Sequence, residues 1–103
     1  MSAAVDFPEG FEWDPEKART NRRKHRVAFE DVVRLFDSPY IEDHNPAHSH
    51  DEDRYLVFGL LDGVVCCVAL AYRGERRRLI GARRATSLEA RMFYSRLFGD
   101  PIV

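Results

Sequence analysis

The sequence predicts an α+β domain: an antiparallel meander of strands packed against N-terminal helices and a C-terminal helix. Three observations carry this reading. Asp14-Pro15 is a helix-start signal, because Asp caps and Pro suits the first helical position. Asp62-Gly63 stands between two apolar runs and marks a hairpin. Thr86 followed three residues later by Glu89 is a capping box that opens a last helix. A length of 103 residues fits one domain, here the whole chain, with residues 1–10 as an extended lead-in. With 45% apolar residues the chain fills a small core, which excludes a purely disordered protein.

Phe11-Glu12-Trp13 reads as a short strand. The first helix runs from Pro15 to about Lys24, with Ala18, Asn21 and His25 at helical spacing. His25 falls near its C-terminal end, where the helix dipole favours cations. After Val27–Phe29 a second, short helix covers Glu30 to Phe36 and shows Phe29, Val32, Val33 and Phe36 on one face. Ser38-Pro39 ends it, and Tyr40-Ile41-Glu42 is a strand candidate. The polar stretch 44–53 holds Pro46 and three histidines and reads as a loop. Arg54 to Leu61 alternates, with Tyr55, Val57, Gly59 and Leu61 on one face and Leu56, Phe58 and Leu60 on the other. Val64 to Tyr72 is almost continuously apolar, so it belongs at the centre of the sheet. Arg73-Gly74-Glu75 turns the chain into a third antiparallel strand, Arg76 to Arg83. The last helix ends near Phe98, stopped by Gly99 and Pro101, with Leu88, Met92, Phe93 and Leu97 toward the sheet. Helices are expected on one face of the sheet, which leaves the other face and the sheet ends for basic residues.

The net charge of −1 conceals an uneven distribution. Arg19, Arg22, Arg23, Lys24 and Arg26 form one basic cluster. Arg73, Arg76, Arg77, Arg78, Arg83 and Arg84 form another. The acids gather at the front of the chain and around residues 42–53. Such segregation lets a near-neutral protein present a basic face to a polyanion. Cys66 and Cys67 are adjacent, point to opposite faces of a strand, and suit neither a disulfide nor a metal. The opening MSAAVDFPEG lacks the form of a signal peptide, and the longest apolar run is far short of a membrane span. The expected setting is the cytoplasm, with no membrane contact.

One pattern joins these pieces. Phe11-x-Trp13-Asp14-x-x-Lys17-x-x-x-Asn21-x-x-Lys24-His25-x-Val27-x-Phe29-Glu30 resembles the opening of BrnT-type toxins. Asp53-Arg54-Tyr55, Gly59, Arg73 and Ile80-x-Ala82-Arg83-Arg84-Ala85-Thr86 continue the resemblance in order, over roughly Phe11 to Tyr94. The chain departs from the family pattern at Arg26, where Gly is usual, at Leu70 and Ala71, in place of an aromatic-Thr pair, and at Gly81, where Ser is common. The resemblance implies a RelE-like fold and a metal-independent endoribonuclease that inhibits translation and growth. It also implies a BrnA-like antitoxin as partner, with operator DNA bound only through that antitoxin, and no cofactor.

Metal-free RNA cleavage must remove a proton from the 2′-hydroxyl, stabilise the phosphorane-like transition state and protonate the 5′-oxygen. Histidine suits either proton role, and arginine grips phosphate oxygens. His25, Lys24, Arg73 and Arg83 are therefore the catalytic candidates. Arg22, Arg23 and Arg84 are candidates for RNA backbone contacts. Trp13 has two readings, base stacking or core. Glu30 either caps the second helix or orients His25. Arg76, Arg77 and Arg78 alternate across a strand and read as general phosphate or partner contacts. His44, His48, His50 and Asp51 invite a metal reading, which the Pro-containing loop disfavours, so no metal ligand is assigned. The competing function is a catalytically inactive corepressor that only pairs with its antitoxin.

Overall fold

The computed structural model describes residues 7–48 and 52–99. The order is β1 (Phe11–Trp13), α1 (Pro15–His25), α2 (Phe29–Val32), β2 (Tyr40–His44), β3 (Arg54–Leu61), β4 (Val64–Arg73), β5 (Arg76–Arg84) and α3 (Ser87–Phe98). α2 runs on as a 3-10 helix over Val33–Asp37, and a short 3-10 turn at Pro46–His48 interrupts the expected loop. The other expected elements form within a residue or two of their anticipated ends. His48–His50 and Asp51 lie partly or wholly outside the described residues, as does most of the lead-in.

β2 to β5 form the expected antiparallel meander, with β4 in the interior, in a five-stranded sheet of order β1-β5-β4-β3-β2. The sheet is mixed rather than purely antiparallel. β1 lies parallel to β5, pairing Phe11 with Arg77 and Trp13 with Leu79. Parallel neighbours need a long connection, and here most of the domain separates the two strands.

Helices cover both faces, not one. Cys66, Val68 and Leu70 of β4 join Trp13, Phe29, Val32 and Leu35 in the core beneath α1 and α2. Val65 and Cys67 join Ile41, Phe58 and Phe93 in a second core beneath α3. The reason is in β4 itself. An apolar run without alternation buries both of its faces, so each face needs its own layer of helix. The two cysteines are free thiols that serve opposite cores.

Local chemistry sets the boundaries. The Asp14 carboxylate accepts the Glu16 N–H at 2.9 Å and Pro15 starts α1. Arg26 closes the helix in the left-handed conformation (φ 62°), its N–H donating to the Arg22 carbonyl at 2.9 Å. The hairpin turn takes positive φ at both Asp62 and Gly63, as a tight two-residue turn requires. Thr86 Oγ1 accepts the Glu89 N–H at 3.1 Å while Glu89 accepts the Thr86 N–H at 2.9 Å, completing the capping box of α3. Among the described residues no helix is long and apolar enough to cross a membrane.

Candidate active site

The site grows from a taper in side-chain size. Leu56, Ala69 and Gly81 stand in register across β3, β4 and β5 and share a sheet face. Cys67 and Arg83 are the next pair on that face. α3 packs over Phe58, Val65 and Cys67, but Leu56, Ala69 and Gly81 are only partly covered. Side chains shrink toward the β5 edge, and a chamber of about 190 Å³ results, lined by these residues, His25 and Arg83. It adjoins a wider groove of about 400 Å³ along α1, with which it shares Asn21, His25 and Gly81.

A bulge shapes the floor of this groove. The register passes from Ala69↔Gly81 to Leu70↔Leu79, so Ile80 has no partner on β4. Ile80 lines the groove beside Gly81. Bulges re-aim side chains near functional sites in this way.

α1 supplies the opposite wall. Asn21 is its one buried residue, and its amide acts as a missing strand would. Its Oδ1 accepts the Ala82 N–H at 3.0 Å, and its Nδ2 donates to the Ala82 and Val27 carbonyls at 2.9 and 3.0 Å. The edge of β5 beyond the reach of β1 is thereby closed, and α1 is fixed against it. Lys17, Thr20 and Lys24 fall on the groove side of that anchor, with Glu16 at its far end and His25 where the groove meets the chamber. His25 is exposed. The Arg22 carbonyl at the helix end is taken by the Arg26 N–H.

Arg83 is held, not free. It donates from Nη1 and Nη2 to the two Glu89 oxygens at 2.8 and 3.0 Å, and from Nη1 to the Arg84 carbonyl at 3.2 Å. The bonds from Arg83, helped by the Thr86 N–H, outweigh partial burial and bring the Glu89 carboxyl down to about 2. The guanidinium is raised in turn, chiefly by its bond to Glu89. A guanidinium has five donors, so these three bonds leave the Nε–H and one Nη2–H for another ligand. Burial pushes the Cys67 thiol up to about 11. Beside this groove it stays protonated at neutral pH and is no nucleophile.

Lys24 and His25 line the groove, and His25 and Arg83 line the chamber that adjoins it. Arg73 lines neither. It pairs with Arg76 at the opposite end of the β4–β5 hairpin, six residues or roughly 20 Å of strand from Cys67. Trp13 takes the core reading. It is 7% exposed and packs edge-on against Phe7 and Phe29 in the core. Arg22, Arg23 and Arg84 are exposed outside the groove lining. Glu30 is exposed and lines a pocket beside Trp13 rather than the His25 groove. The adjacent basic run serves the fold more than a ligand. Arg77 lies 4.4 Å over the Phe36 ring and donates to Tyr40 Oη at 3.1 Å, and Arg78 pairs with Glu12 at 2.9 Å. The expected phosphate or partner contacts of these two are thus corrected by half-burial beside β1. His44 pairs with Asp53 at 3.1 Å. Sequence reasoning gave Lys17 and Asn21 no role, although their spacing of three to seven residues from Lys24 places all three along one side of α1.

The fold is a small mixed α+β domain whose groove is lined by two lysines and a histidine, with an arginine in the adjoining chamber. The chain belongs to the BrnT family, the ribonuclease toxins of type II toxin–antitoxin systems, whose pattern it matches over residues 13–89. No curated protein matches it.

Proposed function

We propose that the chain is a metal-independent endoribonuclease whose active site is the groove between α1 and β5. The position of His25, shared by the groove that Lys24 lines and the adjoining chamber that Arg83 lines, carries this reading. His25 takes the proton of the attacking 2′-hydroxyl. The oxygen then bonds to phosphorus, the bond to the 5′-oxygen breaks, and that oxygen takes up a proton. The Arg83 Nε–H and the Lys24 ammonium stabilise the charge that builds on the non-bridging oxygens. Arg73 is too distant to share this step, so the transition-state contact rests with Arg83. The donor set supports metal independence. The groove presents cations and one carboxylate, Glu16, whereas Mg²⁺ and Ca²⁺ seek clustered oxygens.

In the cell the toxin arrests translation and growth from the cytoplasm. A BrnA-like antitoxin neutralises it by covering the groove and carries the operator DNA contact. A second reading, the silent corepressor, is favoured by one observation: Glu89 already occupies the Arg83 fork.

The purified chain is expected to cut RNA equally well with and without a chelator. His25→Ala should lower the rate by about a hundredfold or more, while antitoxin binding persists. Chelator-sensitive cutting would overturn metal independence. Folded wild-type protein that leaves RNA intact, yet binds its antitoxin, would establish the corepressor.

A further inference from the structure

We infer that the chamber beyond His25 is a subsite for a single unpaired nucleobase, so the groove selects single-stranded RNA. The inference rests on the ribonuclease reading of the same groove and adds the substrate class. Size is the first argument. About 190 Å³ is below the roughly 300 Å³ at which pockets begin to enclose drug-sized ligands. The chamber takes one ring system and not a whole nucleotide. Lining is the second. Leu56, Cys67, Ala69 and Gly81 offer an apolar bed to a flat ring, and Asn21, His25 and Arg83 add polar groups to the lining. The floor is also open: a Cβ built on Gly81 would meet only Asn21 Oδ1, at 3.7 Å.

The third argument is the strand that must accompany the base. Lys17 and Lys24 are seven residues apart on α1, a rise of about 10 Å, and both line the adjoining groove. They meet different phosphates of one backbone while the base turns inward past His25. A paired base cannot make that turn without leaving its stack, whereas an unpaired one is splayed at little cost.

The test fills the chamber from two strands. Gly81→Leu and Ala69→Leu each project a side chain into it, and thermal melting checks that each variant folds. Binding is read by fluorescence anisotropy with a short labelled RNA of mixed sequence, alone and annealed to its complement. Cleavage of the same two probes is followed separately. Wild type should favour the single strand by about tenfold or more, and a folded filled variant should lose about that factor on the single strand only. Equal wild-type affinity for both probes, or a filled variant that binds the single strand normally, would overturn the subsite. If single-strand binding behaves as expected but nothing is cut, the subsite stands and the ribonuclease reading fails. If wild type binds neither probe, both fail.

Discussion

Arg26 shows how one residue links the sequence pattern to backbone geometry. The family pattern places Gly there, and the structure supplies the reason: the residue sits at φ 62°, closing α1. A side chain in the left-handed region costs roughly 1–2 kcal/mol, part of which Gly returns as extra freedom of the unfolded chain. Arg26→Gly is expected to stabilise the fold by about 0.5–1 kcal/mol in denaturant unfolding. No change, or a loss, would mean that the Arg26 side chain contributes contacts of its own. Glu89 gives a prediction in pH. Its carboxyl is ordinary at 4.5 when unfolded and about 2 when folded, so folding favours the ionised form. The stabilisation is complete above about 4.5 and is lost as pH falls toward 2. Glu89→Gln should therefore lower the melting temperature near neutral pH, and the gap from wild type should close across that acid window. Asp43, lowered by its bonds from Arg96, titrates in the same direction but is present in both proteins. A gap independent of pH would show that Glu89 acts through its capping bonds alone. Arg83 was legible in the sequence as a strand-end cation. Its lock to Glu89 was not, because Glu89 was already explained by the capping box, and one carboxylate serves both partners.

At the scale of the element, the ends were easier to read than the packing. Caps and turns are local chemistry. Asp14-Pro15, Asp62-Gly63 and Thr86…Glu89 therefore fix helix and hairpin boundaries from neighbouring residues alone. Gly59 is different, because nothing local requires it. Its reason is the 3-10 helix at Val33–Asp37, where Leu35 lies fully buried against β3. A Cβ at residue 59 would stand 2.5 Å from Leu35 Cδ2 and 3.3 Å from Tyr40 Cβ. Leu35 has no solvent side to retreat to, so the backbones must part. Gly59→Ala is expected to destabilise by about 1–3 kcal/mol, read from the denaturant midpoint. A neutral result would mean that the 3-10 segment shifts freely on β3. The second expected helix forms over the anticipated residues, in two forms. Phe29–Val32 is α-helical and Val33–Asp37 takes the narrower 3-10 form, with Leu35 buried.

At the scale of the molecule, the arrangement of layers decides what the basic clusters can do. The expected architecture put helices on one face and left the other face and the sheet ends for basic residues. The observed one covers both faces and leaves a groove between α1 and β5 that adjoins the chamber on the α3 face. These cavities admit few cations. Lys24 and Arg83 belong to separate basic clusters in sequence, yet a β5 edge sealed by Asn21 brings them to adjoining cavities. No local signal encodes that placement, because it depends on where a helix crosses a strand 61 residues away. The number of cations that meet RNA is measurable through counterion release. If Lys17, Lys24 and Arg83 alone contact phosphates, the logarithm of the binding constant for single-stranded RNA should fall against that of salt with a slope of about −2. Recruiting the exposed Arg22, Arg23 and Arg84 as well doubles the contacts and steepens the slope to about −4. The shallow slope is expected, since α1 turns Arg22 and Arg23 out of the groove and Arg84 pairs with Cys66, on the opposite face from Arg83. Lys17→Gln should then make it shallower by about 0.7, whereas Arg22→Gln should leave it unchanged. The steep slope would extend the RNA path around the C-terminal end of α1 and restore those arginines to the binding surface.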